Sequence, residues 1–247
     1  MVRGFLYFFL FLFLSSCKKE NAVDCFKSNG KEITELRQPG SFTKIDMNDK
    51  IDVTLVQGPE IKVEVTAGQH IIKNISTRVE DGILKIQNNN KCNFVRGYKR
   101  RVRVKITLPY CYSVINNGVA MLTIEAGFAQ DSIRVRAESS GDIHLNGTYD
   151  YVKAHSNGNG DVYLNGSCKS LNVFINGTNF LRAENFVISD YVFVQTLSKG
   201  DCFFSIDKLN KFEYIIYDKG SIYYKGSPAT MSGFVEKDAS GKLVKED

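Results

Sequence analysis

A turn followed by a short strand recurs five times in the second half of the chain. Three of the five turns read Gly-Asp, and an apolar residue follows each turn. The copies begin at Gly141, Gly160, Asn179, Gly200 and Gly220, in steps of 19, 19, 21 and 20 residues. A period near 20 residues is typical of stacked coils, because one such unit cannot bury its apolar face alone. The repeat therefore predicts an all-β solenoid with coils of about 20 residues.

Alignment of the five copies predicts which side chains share a column. Because side chains alternate across a strand, the first and third strand residues of each copy should face the core. The two predicted core columns are Ile143, Val162, Leu181, Cys202 and Ile222, and Leu145, Leu164, Ala183, Phe204 and Tyr224. The residues between these columns should form an outward row, which consists of His144, Tyr163, Arg182, Phe203 and Tyr223.

The outward row is the candidate ligand-binding surface. Exposed aromatic side chains offer flat apolar area with a polar handle, which suits a glycan or a peptide. The alternative interpretation is that cross-strand aromatic and cation–π pairs stabilise the sheet without any ligand. The sequence leaves both interpretations open.

Aspartates occupy three equivalent turns, at Asp142, Asp161 and Asp201. Stacked turn aspartates resemble those of calcium-binding β-rolls. Calcium takes six to eight oxygen ligands, however, and this chain offers one carboxylate per coil. We therefore expect the aspartates to form turns by bonding to their own backbone, and we predict no metal or cofactor.

No sequence motif indicates catalysis. The chain lacks Gly-x-Ser-x-Gly, His-Glu-x-x-His and a phosphate loop, and its three histidines have no zinc-like spacing to cysteine. The alternative is a polysaccharide-active enzyme that uses Asp142, Asp161 and Arg182 on consecutive coils. The prediction from the sequence is that the protein is not an enzyme.

The first sixteen residues have the features of an export signal. Arg3 gives a positive start, residues 5–14 are wholly apolar, and Ser15 and Ser16 precede a cysteine. The apolar run is shorter than the ~20 residues of a membrane-spanning helix. The pattern resembles a bacterial lipobox, in which Cys17 becomes the lipidated, palmitate-bearing N-terminus. The alternative is an ordinary secretory signal that ends in cysteine.

The residues after Cys17 bear on location. Lipoproteins of an inner membrane resemble one another in carrying aspartate after the lipidated cysteine, whereas this chain has Lys18. The charged stretch Lys18-Lys19-Glu20 also resembles the surface-export signals of Bacteroidota lipoproteins. We expect an outer-membrane lipoprotein, and the sequence leaves open whether it faces the periplasm or the outside.

Five cysteines remain besides the lipid-bearing one. An odd number in an oxidising compartment leaves at least one free thiol. We predict a disulfide between Cys25 and Cys92, which would tie the N-terminal tether to the fold. The alternative is that all five are buried thiols. Cys202 falls in a core column, where cysteine behaves as a small hydrophobe, and the redox state of Cys111 and Cys168 is left open as well.

The domain organisation follows from these features. Alternating apolar residues continue from Phe42 to Leu108, with a hairpin signal at Asp81-Gly82. We predict a signal peptide, a lipidated cysteine with a tether, one solenoid domain, and a C-terminal cap with a mobile tail, at 1–16, 17–37, 38–228 and 229–247. The net charge of +5 is spread among many acids, so nucleic-acid binding is not predicted.

Several segments together resemble the auto-transporter adhesin family with the head GIN domain. They are Phe42-Thr43-Lys44-Ile45, Ile51-Asp52-Val53, Asp81-Gly82-Ile83-Leu84, Asn90-Lys91-Cys92-Asn93, and the Gly-Asp turns ending at Tyr224-Lys225-Gly226-Ser227-Pro228. The resemblance implies a right-handed β-helix of pectin-lyase-like shape that serves in cell adhesion without catalytic residues. Phe180 replaces the aspartate of the third turn, so we expect that coil to be distorted.

The sequence thus predicts a lipid-anchored binding or adhesion module of the cell envelope. Its partners would be the membrane, through the lipid, and an extracellular or cell-wall glycan or protein. A structural envelope protein without a ligand is the second hypothesis, and a polysaccharide-active enzyme is the third.

Overall fold

A computed structural model describes residues 28–91 and 101–247 of the chain. The predicted lipidation site Cys17 and the predicted Cys25–Cys92 disulfide lie outside these residues. The described strands are β1 (Glu32–Arg37), β2 (Lys44–Met47), β3 (Ile51–Gln57), β4 (Lys62–Gly68), β5 (Ile75–Glu80), β6 (Ile83–Asn88), β7 (Val102–Leu108), β8 (Ser113–Asn116), β9 (Leu122–Ile124), β10 (Ala129–Ala137), β11 (Ile143–Ser156), β12 (Val162–Gly177), β13 (Leu181–Ser198), β14 (Cys202–Ser205), β15 (Lys211–Ile216), β16 (Ile222–Lys225), β17 (Thr230–Val235) and β18 (Leu243–Lys245). A 3₁₀ turn spans Ile72–Asn74. Among the described residues there is no helix long and apolar enough to cross a membrane.

Parallel pairing of coil upon coil confirms the predicted β-solenoid. Strands β11 and β12 pair over nearly their whole length, from Ile143 opposite Val162 to Ser156 opposite Ile175. Each of these long strands runs along one face of the coil, bends, and returns along a second face. Gly147 sits at the bend with a φ of 130°, a conformation that favours glycine. We call the face with residues 143–146 the first face and that with residues 151–156 the second face.

The N-terminal end of the solenoid is closed by antiparallel strands. Strand β4 pairs with β7, β1 pairs with β4, and β5 and β6 form a hairpin across Asp81-Gly82, as predicted from the sequence. The structure corrects the tether assigned to residues 17–37, because Glu32–Arg37 forms a strand. The sequence does not reveal this strand, because it lies at the edge of the sheet and buries few side chains. Apolar and polar residues therefore do not alternate along it.

The predicted core columns are confirmed. All five members of the first column are buried, and so are the first four of the second; these nine are Ile143, Val162, Leu181, Cys202, Ile222, Leu145, Leu164, Ala183 and Phe204. Tyr224, the fifth member of the second column, is only partly buried. Its register partner on the last coil is Lys245, which brings no apolar side chain to cover the ring.

Close packing of backbone explains the glycine at the turns. A Cβ atom placed on Gly160 would lie 2.3 Å from the carbonyl oxygen of Gly141, the equivalent residue one coil earlier. No real Cβ contact is that short, so a larger residue would push the coils apart at this corner. The 19-residue step is therefore fixed at the turn as well as in the core.

The third coil is irregular, but away from its Asn179 turn. Between β12 and β13 the register slips once between Tyr163 and Asn165 and again between Cys168 and Ser170. These two extra residues of β13 are β-bulges, and they account for the 21-residue step in the repeat. The Asn179 amide nitrogen lies within hydrogen-bond distance of the Asn176 carbonyl oxygen in its own turn, and of Ser156 Oγ and the Gly158 carbonyl oxygen on the preceding coil, at 2.7 to 2.9 Å. Asparagine therefore supports this turn, and the distortion expected there lies in the following strand.

One more coil follows Pro228, where the sequence interpretation had ended the repeat. Strand β17 pairs in parallel with β15, and β18 pairs in parallel with β16. The prediction of a cap and mobile tail over 229–247 is therefore wrong for the two strands. The missed signal was Gly241, which stands 21 residues after Gly220 and whose Cβ would lie 2.2 Å from the Gly220 carbonyl oxygen.

Candidate functional site

The structure brings the five residues of the outward row together on the first face. The strand register places their members directly opposite one another, from one coil to the next, in the order His144, Tyr163, Arg182, Phe203 and Tyr223. All five side chains are half-buried. The row is therefore a continuous ladder, as the repeat alignment predicted.

The rings of the row stack on one another. The His144 and Tyr163 ring centroids are 4.5 Å apart, with planes inclined by 9°. The Phe203 and Tyr223 centroids are 5.2 Å apart, with planes inclined by 10°. These spacings match the ~4.8 Å between neighbouring strands, so the ring faces point along the solenoid axis. The stacked faces meet each other, and the row presents ring edges to solvent.

Arg182 lies between the two stacked pairs in the register of the strands. Its guanidinium carbon lies 3.9 Å from the centre of the Phe203 ring and 5.6 Å from that of Phe180. A guanidinium over an aromatic face is a favourable cation–π contact. An Arg182 nitrogen also lies 3.4 Å from a carboxylate oxygen of Glu184 on the same strand. The row therefore carries at its centre a positive charge whose position is fixed by these contacts.

Aspartates flank one side of the row, and they bind backbone of the following coil. Asp142 Oδ1 accepts from the Asp161 N–H at 2.9 Å, and Asp161 Oδ1 accepts from the Phe180 N–H at 2.8 Å. Asp201 Oδ1 accepts from the Ser221 N–H at 2.7 Å. The structure thus corrects the expectation that these residues bond to their own backbone. Their carboxylates link neighbouring coils.

Tyr163 connects this column of aspartates to the row. Its hydroxyl donates to Asp161 Oδ2 at 3.3 Å. Burial, followed by the nearby carboxylates of Asp161 and Asp142, raises the pKa of Tyr163 above its ordinary value. The hydroxyl therefore keeps its proton over the physiological range and can act as a hydrogen-bond donor or acceptor at the edge of the row.

Asparagines flank the other side of the row. Asn146, Asn165 and Asn185 lie opposite one another on successive coils. The Asn146 amide nitrogen donates to the Ile124 carbonyl oxygen at 2.6 Å. The sequence reasoning missed this column, although the repeated Leu-Asn-Gly at 145–147 and 164–166 was a signal for it. The outward row therefore runs between two columns of hydrogen-bonding groups.

The bulges of β13 open a groove beside the row. The groove has a volume of 410 Å³, and its lining includes Glu184, Asn185, Val187, Asp207 and Lys208. Val187 is 68% exposed although it lies within a strand. Bulges often occur beside functional sites, because they redirect side chains. No single sequence signal reveals the groove, since it depends on where the two extra residues are accommodated.

The acidic and basic residues weighed for catalysis have structural partners. Asp142 and Asp161 accept backbone N–H groups, while Arg182 packs on an aromatic ring and pairs with Glu184. In the described part of the chain, no cluster of three or more His, Cys, Asp or Glu side chains could hold a metal ion.

The three cysteines of the described residues are free and buried. Burial raises the pKa of Cys111 and of Cys168 to about 12, and it raises the pKa of Cys202 as well. A thiol with so high a pKa carries almost no thiolate at neutral pH and is a poor nucleophile. These cysteines belong to the core.

Comparison with known protein families identifies the family of this chain. The family described as "Putative auto-transporter adhesin, head GIN domain" matches residues 41–228, which is most of the chain. The chain belongs to this family. The resemblance found in the sequence segments is thereby confirmed, and it supports an adhesion-like, non-enzymatic role. The terminal coil with β17 and β18 lies beyond the matched residues.

Solved structures share the fold. A putative adhesin from Bacteroides fragilis NCTC 9343 superposes with a TM-score of 0.73 at 22% identity, covering 87% of this chain and 97% of that chain. A putative adhesin from Parabacteroides distasonis ATCC 8503 gives 0.65 at 16% identity, covering 88% and 98%. A putative lipid binding protein from the same strain gives 0.63 at 17% identity, covering 89% and 98%. At these identities the similarity establishes the solenoid fold alone. No curated protein matches the chain.

Proposed function

We propose that the protein is a lipid-anchored adhesin of the cell envelope, and that its outward row binds a hydroxyl-rich glycan. The family assignment supports an adhesion-like role, and the lipobox-like sequence that ends at Cys17 supports anchoring. The observation that carries the binding surface is the in-register ladder of His144, Tyr163, Arg182, Phe203 and Tyr223 on one open face.

The ring orientation specifies how the row would bind. Because the ring faces are occupied by neighbouring rings, a sugar cannot stack flat on them as it does in many aromatic platforms. What the row offers are the His144 imidazole, the Tyr163 hydroxyl and the Arg182 guanidinium on successive coils, and the Tyr223 hydroxyl two coils further on. These groups suit hydrogen bonds to successive hydroxyls of an extended glycan.

Substitutions that delete hydroxyls but keep rings test this mode. The double variant Tyr163→Phe, Tyr223→Phe retains the stacking and should bind a glycan at least about tenfold more weakly, since a polar contact that loses its partner is costly. The matched control is Tyr151→Phe, because Tyr151 is a half-buried tyrosine on the second face. Binding would be measured on an array of envelope, mucin and capsular polysaccharides.

Two outcomes would overturn the glycan assignment. One is undiminished binding by the double variant, which would show that the hydroxyls do not participate. The other is binding of surface proteins but of no polysaccharide on the array, which would assign the row to a protein ligand. Turnover of any polysaccharide, lost in Asp161→Asn, would instead favour the enzyme hypothesis.

Anchoring has a separate test. Cells that produce the chain should incorporate labelled palmitate into it, and Cys17→Ala should abolish the label and release the protein from the membrane fraction. Protease treatment of intact cells should then degrade the wild-type protein if it faces outward. Protection from the protease would place the protein in the periplasm and contradict a surface adhesin.

A further inference from the structure

The described residues form the C-terminal end of the solenoid with β17 and β18. Strand β17 pairs with β15 and β18 pairs with β16, and no strand among residues 28–91 and 101–247 covers the other edge of either. Solenoids require terminal coils with a polar outer surface in order to remain soluble and unassociated. The side chains of this last coil therefore decide what the end can do.

Core positions are exposed at this end. Met231 lies opposite the buried Phe212, and Val235 lies opposite the buried Ile216, so both belong to the inward side of the coil. They are nevertheless 37% and 40% exposed. On every interior coil, the equivalent side chain would be covered by the next coil. Met231 and Val235 therefore form an apolar surface that no further coil covers among the described residues.

The backbone of β17 is also available. The Thr230 N–H donates to the carbonyl oxygen of Asn210, just before β15, and the Glu236 N–H donates to that of Ile216 at the end of β15. Alternate residues of a parallel strand bond to the same neighbour. Met231, Gly233 and Val235 therefore direct their N–H and C=O groups toward the open edge. Met231 and Val235 therefore combine an exposed apolar side chain with backbone groups that face the open edge, and Gly233 adds its backbone between them.

The two ends of the solenoid differ in how well their edge strands are protected against pairing with another chain. The N-terminal edge strand β1 carries Glu32, Glu35 and Arg37, and charged residues on an edge discourage pairing with another chain. Strand β17, with the sequence Thr-Met-Ser-Gly-Phe-Val, carries no charge and no proline. The edge of β17 therefore lacks the charged residues and proline that discourage pairing with another chain. We infer that this edge binds a partner.

We propose that this edge docks onto a second copy of the chain, C-terminal end to C-terminal end. A two-fold axis at Gly233 would pair β17 with β17 of the second copy in antiparallel fashion. Met231 would then lie opposite Val235 of the second copy, and Val235 opposite its Met231, so the pattern is self-complementary. Antiparallel addition of a strand to an exposed edge is a common mode of recognition.

Charge does not oppose this pairing. Residues 229–247 contain three lysines and four acidic residues, so the surroundings of the edge are close to neutral. Two identical ends with a large charge of one sign would repel each other when brought into contact. A mixed, nearly balanced rim allows lysines of one copy to face acids of the other.

The pairing has a consequence for adhesion, which rests on the proposed lipid anchor. The second face stacks ten strands from β5 to β17 inclusive, so the two ends lie roughly 40 Å apart. The described chain begins at the N-terminal end, where the Ser28 carbonyl oxygen lies 2.8 Å from His70 Nδ1. Two copies joined at their C-terminal ends would therefore hold their anchors at opposite ends and connect two membranes.

Sedimentation velocity of the full chain, purified in detergent, tests the pairing. We expect a concentration-dependent dimer. Met231→Lys should weaken it at least about tenfold, because a charge would face an apolar side chain. The double variant Met231→Lys, Val235→Glu should restore the dimer, since each new lysine meets a new glutamate of the other copy. Val187→Lys, which adds the same charge at a site away from the edge, should leave the dimer unchanged.

The outcomes separate the two proposals. A monomeric wild-type chain, or a dimer that Met231→Lys leaves intact, would overturn the pairing; unchanged melting temperatures would show that the variants fold. Lipid vesicles that carry the full chain should cluster, and Met231→Lys should prevent clustering. A dimer in detergent without clustering of vesicles would retain the pairing and reject the anchoring of the two copies in opposite membranes.

Discussion

The guanidinium carbon of Arg182 lies 3.9 Å from the centre of the Phe203 ring on the next coil. This contact joins Arg182, on the irregular third coil, to the stacked pair Phe203 and Tyr223. The relationship shows that the row contributes to the sheet as well as presenting groups to solvent.

Replacement of Arg182 should therefore reduce stability to a modest extent. Arg182→Met keeps the length of the side chain but loses the cation–π contact, which is worth ~0.5–1 kcal/mol at a partly exposed site. The free energy of unfolding in urea would measure the loss. Lys169→Met is the control, because Lys169 is an exposed cation paired with Asp150 at the surface. Equal effects of the two substitutions would contradict a specific role for the Arg182–Phe203 contact.

Asp161 should be important for the joining of coils. Asp161→Ala removes the acceptor of the Phe180 N–H and of the Tyr163 hydroxyl, which should cost about 1–2 kcal/mol. Asp161→Asn retains an acceptor oxygen and should cost less than half of that. Chemical denaturation measures both. A melting temperature that depends on calcium, and loses this dependence in Asp161→Asn, would contradict the structural role.

The core cysteines should resist alkylation in the native protein. Burial holds the pKa of Cys111 and Cys168 at about 12, far above a working pH near 8, and Cys202 is fully enclosed. Iodoacetamide should label all three only after unfolding in guanidinium, as peptide mass spectrometry would show. Native labelling of Cys111 would indicate that its coil opens. The same peptide maps, without reduction, test the predicted Cys25–Cys92 disulfide, and a free Cys25 would reject it.

His155 should make stability depend on pH. Burial, with smaller contributions from the charges of Arg136 and Lys153, lowers the pKa of His155 below its ordinary value, while the Asn157 hydrogen bond opposes the shift. The unfolded chain therefore binds the proton more tightly. The associated stability is fully present above the ordinary histidine pKa of ~6.5 and is lost as the pH falls toward the lower, folded value.

Replacing His155 separates its contribution to the pH dependence of stability from the contribution of the carboxylates. Between about pH 7 and about pH 5, His155→Gln should lose less unfolding free energy than the wild-type protein. Urea denaturation at a series of pH values would provide the comparison. Parallel stability curves for the two proteins would contradict the assigned role of His155.

The parts of the fold that follow from local repetition could be predicted from the sequence. The period and the alternation of side chains located both core columns and the outward row, because each coil repeats the burial of the last. Strand β1 could not be found in this way, since its residues at the edge bury little. The last coil was not predicted, because Gly233 interrupts the inward column and Gly241 is followed by lysine instead of aspartate.

Other features depend on three-dimensional detail that the sequence pattern does not carry. Alternation predicts that Tyr163 points outward, but not that its ring stacks on His144 and turns its edge to solvent. The turn aspartates could be assigned to turns, yet their partners lie one coil away. The groove beside the row depends on two bulges, and only the pairing register reveals where they fall.

The adhesion of intact cells tests the central claim most directly. Cells that produce the wild-type chain, the double variant Tyr163→Ala, Phe203→Ala, or the control Phe174→Ala would be compared for retention on a surface coated with the glycan identified on the array. Phe174 is an outward, half-buried aromatic of the second face, and its loss matches one of the two deletions in the row. We predict that the double variant loses retention at equal surface abundance while the control keeps it. Equal retention of all three strains would contradict the assignment of the outward row as the adhesive surface.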